Sequence, residues 1–167
     1  MKNKTTIWLI VAAVVIMATV AASYKSILSK FLPTWEGFLP NPKWDYTQWS
    51  WGYGTKVPGS VSDPNINPGG TVTRAQAMLF LLAHIEKDYT DLKKLISVPL
   101  GANQWAALLS FSYNLGVGNA DNLVANINSN NYAALEYQWK QYINAGGVPL
   151  QQLIDRRAAE WALWMKG

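Results

Sequence analysis

The chain has 167 residues, half of them apolar, which is enough for one domain with a sizeable core and too few for two large domains. With no cysteine and a single histidine, it excludes disulfide scaffolds, thiolate zinc clusters, cysteine nucleophiles and multi-histidine metal centres. The formal charge of +4 is localised: from Phe31 to Gly167 seven Lys and three Arg balance ten Asp and Glu, and the surplus is Lys2, Lys4, Lys25 and Lys30. The body therefore has no basic stripe, and nucleic acid is not an expected partner.

Those four lysines flank one hydrophobic segment. Thr5 to Tyr24 is uncharged, with the apolar run Ile7–Ala22 at its centre. As a helix it would reach about 30 Å, the thickness of a bilayer core. It predicts an N-terminal transmembrane helix within a membrane anchor over 1–30, with the lipid bilayer as partner and a second domain over 31–167 outside the cytoplasm. The competing reading is a secretory signal cleaved after Val20-Ala21-Ala22.

In chain order, the pattern then predicts a short helix from Ser26 to Leu32 interrupted at Pro33, with Glu36 near a helix end before Gly37. Trp44 to Tyr53 mixes aromatic residues with Thr and Ser around Tyr46, Thr47 and Gln48, which predicts a β-hairpin. Val57 to Gly70, rich in Pro, Gly and Asn, reads as a loop. Thr73 and Gln76 have capping-box spacing at the head of an apolar helix running to His84. Further helices are expected over Gln104–Leu115, Asp121–Ser129, Tyr132–Ile143 and Leu150–Met165. The fold class is α+β, a small hairpin lobe followed by a mainly helical lobe.

Glu36 and Asp45 are the informative acids, one at a helix end and one in the hairpin, among Trp35, Trp44, Trp49 and Trp51. Aromatic surroundings desolvate a carboxyl group and favour its protonated form, as a general acid requires. Two carboxyls in different environments suit glycoside hydrolysis, although the same spacing also fits a helix-end Glu and a turn Asp. His84 reads as a packed or partly exposed side chain. Arg74, Arg156 and Arg157 read as helix-surface residues paired with nearby acids, with the cleft acids or the substrate's carboxylates as alternative partners.

The segments Trp35-Glu36-Gly37-Phe38 and Ser50-Trp51-Gly52-Tyr53-Gly54-Thr55, with eight residues between Glu36 and Asp45, resemble the catalytic region of phage-type lysozymes, glycoside hydrolase family 24. Thr73-Arg74-Ala75-Gln76-Ala77, Gln104 to Leu108, Ser110 to Gly118, Ala145-Gly146-Gly147 and Arg156-Arg157-Ala158-Ala159-Glu160 are similar to that family's helical-lobe motifs, in the same order. The resemblance implies a lysozyme-like fold and cleavage of the β-1,4 bond between N-acetylmuramic acid and N-acetylglucosamine in bacterial peptidoglycan. It also implies Glu36 as general acid, Asp45 as second carboxylate, Ser50 where the family usually has Thr, and no metal or cofactor. Trp49, Trp51, Tyr53 and Asn114 are the candidate substrate contacts.

The sequence departs from the family pattern in having four residues rather than five between Asp45 and Ser50, so the hairpin is expected to be shorter and the third role open. Two rivals follow. One is a lytic transglycosylase using Glu36 without a water-positioning pair; the other is a silent wall-binding or virion structural protein. A tethered wall-lytic enzyme would fit either the host inner membrane, acting at phage release, or a virion membrane, acting at entry.

Overall fold

The computed structural model describes residue 20 and residues 23–167. The expected membrane-spanning segment therefore lies almost wholly outside the described residues, among which no helix is long and apolar enough to cross a membrane. The first described helix, α1, covers 23–36 and runs through Pro33 instead of stopping there. Tyr24, Leu28 and Leu32, one every four residues, are fully buried along one face. Three such side chains contribute about 1.5–3 kcal/mol each, more than the ~3 kcal/mol cost of a proline inside a helix. Gly37, with φ +67°, takes the left-handed conformation that ends α1 immediately after Glu36.

The chain then enters a three-stranded antiparallel sheet in the order β1 (Leu39–Asp45), β2 (Gln48–Gly52), β3 (Thr55–Lys56). Pairing of β1 with β2 is irregular between Leu39 and Lys43, where Pro40 and Pro42 have no N–H to give. Beyond it the register is tight: Lys43 faces Ser50, Trp44 faces Trp49 and Asp45 faces Gln48, closed by the two-residue turn Tyr46-Thr47. Tyr46 adopts φ +46° to make that turn. The sheet is pressed onto the helical lobe at Gly52, where a Cβ would stand 2.7 Å from the Cβ of Ala77. Only glycine fits there.

An irregular stretch leads to α2 (Arg74–Leu92), whose start is the anticipated capping box: the Gln76 N–H donates to Thr73 Oγ1 and the Thr73 N–H to Gln76 Oε1. The helix runs two turns past His84 because Ile85, Asp88, Tyr89 and Leu92 carry its buried face on. At the centre of the lobe is α3 (Ala102–Leu115), in which every residue from Trp105 to Ser112 is buried. It packs against α2, α4 (Val117–Asp121) and α7 (Gln151–Trp164). Of the helix expected over Asp121–Ser129 only α5 (Val124–Asn128) forms, with α4 ending at Asp121 just before it. Between α6 (Tyr132–Trp139) and α7 lies a small hairpin, β4 (Asn144–Ala145) and β5 (Val148–Pro149), turned by Gly146 and Gly147 at φ +59° and +84°. This is the α+β architecture, a small sheet followed by a mainly helical lobe, that the sequence called for.

Candidate active site

Glu36 is the last residue of α1 and its side chain is 18% exposed. Its Oε1 lies 2.7 Å from Nη1 of Arg156 on α7. The contact is an ion pair without hydrogen-bond alignment, since Oε1 is buried and has no hydrogen-bond partner. Its Oε2 lies on the side of Gly54, where a Cβ would come within 3.7 Å of it and 4.0 Å of the Tyr113 hydroxyl. That hydroxyl donates to the Tyr53 carbonyl at 2.7 Å. Burial, and secondarily the charge of Glu36, push the Tyr113 phenol above its ordinary range, so it stays a neutral donor.

Arg156 is itself buried and uses every nitrogen: Nη1 meets Glu36, Nε donates to Glu160 Oε1 at 3.1 Å, and Nη2 donates to the Ser110 carbonyl at 3.2 Å. Glu160, fully buried, also accepts from the Ser110 hydroxyl at 2.7 Å, the Trp139 indole at 3.1 Å and Arg157 at 3.1 Å. Burial raises the Glu160 carboxyl, and the two guanidinium groups oppose it. Arg157 donates in turn to Asn114 Oδ1 at 2.9 Å and stands over the Phe111 ring. A chain of charge thus runs from the interior of the helical lobe to the carboxyl group at the end of α1.

A groove of about 390 Å³ opens at that carboxyl, lined among others by Glu36, Lys43, Trp44, Asp45, Ser50 and Gly54. The hairpin register explains the polar members contributed by β1 and β2. Directly paired residues point to the same side of an antiparallel sheet, and the period along each strand is two, so Lys43, Asp45, Gln48 and Ser50 share one face. The two-residue turn therefore keeps Ser50 on the side of Asp45 despite the short spacing. A larger recess of about 480 Å³ between α1 and α7 is lined by Ile27, Phe31, Leu163 and lysines but by no carboxylate, and the chemistry places the site in the smaller groove.

The structure thus brings Glu36, Asp45 and Ser50 to one groove, with Ser50 buried and Asp45 exposed. It does not bring the four expected substrate contacts there. Trp49 is buried, edge-on to Trp44, with its indole N–H donating to the Asp63 carbonyl at 2.9 Å. Trp51 stacks on Phe80, Tyr53 packs against Phe38, and Asn114 holds Arg157. The indole that does line the groove is Trp44.

The close charged partner of Glu36 is a buried guanidinium. Sequence reasoning preferred surface pairing for Arg156 and Arg157, yet both lie inside the lobe. The signal that could have found them is the i,i+4 and i,i+3 spacing of Arg156 and Arg157 to Glu160 on a helix with apolar flanks. Arg74 does stay near the surface, over the Phe38 ring at 4.4 Å, and His84 is half exposed, 3.6 Å from Asp88.

A small sheet set on a helical lobe, with a half-buried helix-end Glu sharing a groove with a hairpin Asp and Ser, defines a lysozyme-like protein. Residues 33–160 match the family model for phage lysozyme, and the chain belongs to that family. It is 34% identical over 123 residues to an endolysin of Acyrthosiphon pisum secondary endosymbiont phage 1, covering 70% of this chain and 80% of that one. It is 30% identical over 105 residues to an endolysin of Bacillus phage PZA, covering 62% of this chain and 41% of the relative, so it spans about two fifths of that protein. Among solved structures, a mutant of P22 lysozyme superposes with a TM-score of 0.70 at 25% identity, covering 84% of this chain and 96% of that one.

Proposed function

We propose that the chain is a peptidoglycan hydrolase that cleaves the β-1,4 bond between N-acetylmuramic acid and N-acetylglucosamine in phage-mediated lysis of the cell wall. The observation that carries the proposal is the shared groove of Glu36, Asp45 and Ser50. Glu36 acts as the general acid, giving a proton to the glycosidic oxygen as the bond to the anomeric carbon breaks. The carboxylate left behind already has Arg156 at 2.7 Å, a fixed positive charge placed where negative charge develops. Asp45 and Ser50, on the hairpin face, hold the water that attacks the anomeric carbon, and Asp45 accepts its proton.

Digestion of purified peptidoglycan with identification of the new ends tests this reading. Reducing N-acetylmuramic acid ends support hydrolysis. Ends in the 1,6-anhydro form identify a transglycosylase, and no new ends identify a silent wall-binding protein.

We further propose that Thr5–Ala22 holds the protein in a membrane with the lytic domain outside the cytoplasm. The support is an apolar run of spanning length with lysines at both ends. Recovery of the full chain in the membrane fraction after alkaline carbonate extraction supports the tether, and complete release into the supernatant contradicts it.

A further inference from the structure

Lys43 has no part in the chemistry above. It lines the same groove as Glu36 and Asp45, and the β1–β2 register puts it opposite Ser50 on the groove side of the hairpin. Its side chain is exposed, and it makes no ion pair or side-chain hydrogen bond among the described residues. The two buried arginines behind the groove are already matched, Arg156 to Glu36 and Glu160, and Arg157 to Glu160. Lys43 is therefore a cation directed at the substrate path with no protein anion assigned to it.

We propose that Lys43 is a specificity-determining residue that recognises a carboxylate of the peptidoglycan strand. This deepens the hydrolase reading and rests on it. Each muramic acid residue carries its lactyl group and stem peptide on one side of the sugar, and the free carboxylates of the stem are the anions nearest the glycan chain. An ammonium group on a four-carbon stem reaches such a group without fixed geometry and tolerates its mobility.

The test compares initial rates of reducing-end release at low substrate for the full chain and its Lys43→Gln and Lys43→Arg variants. The substrates are purified peptidoglycan before and after carbodiimide conversion of its free carboxylates to neutral amides. The native chain should prefer untreated walls by about threefold, the worth of one solvent-exposed charge pair. Lys43→Gln should cut the two walls at the same rate, and Lys43→Arg should keep the preference. A Lys43→Gln variant that keeps the preference overturns the inference, as does a native chain that shows none. Equal slowing on both walls also overturns it, because that is the mark of a lysine acting through Asp45. Absence of new ends with the native chain on untreated walls removes the hydrolase reading, and this inference with it.

Discussion

Arg156 on α7 holds the carboxyl group of Glu36 on α1 at 2.7 Å, joining the two ends of the described fold. The same guanidinium is fixed from behind by fully buried Glu160, so Glu36 is positioned by the interior of the helical lobe.

Replacing Arg156 with Gln should therefore cost both stability and activity. Glu160 would lose one of its two buried cations, and unpairing a buried charge costs about 3 kcal/mol or more. The exposed share of Glu36 is screened and adds little. Urea unfolding should show the loss, and wall lysis should fall further than the remaining folded fraction explains. Unchanged stability would mean that the network does not hold the lobe.

Asp45→Asn should behave in the opposite way. Asp45 is exposed and its side chain has no ion pair or hydrogen bond among the described residues, so the fold should be untouched. Loss of the group that orients and deprotonates water should slow turnover about 100-fold or more. A normal rate at normal stability would remove Asp45 from the reaction.

Gly54→Ala tests the floor of the groove. At φ +88° any side chain is strained, at about 1–2 kcal/mol for the left-handed conformation. The new methyl would also lie 3.7 Å from Glu36 Oε2. Thermal unfolding should shift down and lysis should fall, whereas the same change at Gly59, with nothing within 4 Å, should affect stability alone.

A pH-dependent contribution to stability is expected where α1 begins. Glu86 on α2 meets Lys25 at 2.6 Å and accepts from the Tyr24 hydroxyl at 3.2 Å. The hydrogen bond from Lys25, more than burial opposes it, holds the Glu86 carboxyl below its ordinary 4.5. A depressed carboxyl stabilises the fold above its unfolded value and loses that contribution as pH falls through the folded value. The native chain should therefore be more stable than Glu86→Gln at pH 7, by under about 1 kcal/mol given the exposure of the pair. The difference should vanish on acidification below 4.5. A gap that persists or widens in acid would contradict the assignment.

Much of this was legible in the sequence, for local reasons. The Thr73–Gln76 box, the hairpin around Tyr46 and the loop after Val57 rest on short-range chemistry, and the structure shows each of them. Continuation of α1 through Pro33 was not legible, because it depends on what Tyr24, Leu28 and Leu32 pack against. The face of Ser50 was undecided until the turn length was known, since one residue of register reverses every side chain. Trp49, Trp51 and Tyr53 drew attention as sugar-stacking residues by type, but type does not distinguish the groove side of a sheet from its packed side. Arg156 reads first as a surface residue, with the cleft acids only as an alternative. Its meeting with Glu36 is a contact between opposite ends of the domain, and nothing in local spacing announces it.

The central claim is that Glu36 supplies the proton that breaks the glycosidic bond. Its most direct test is the rate of reducing-end release from purified peptidoglycan by the native chain and by Glu36→Gln, with folding of both verified by circular dichroism. A folded variant at least about 100-fold slower is the expected result, the usual worth of a positioned general acid; a folded variant that cleaves at the native rate would contradict the claim.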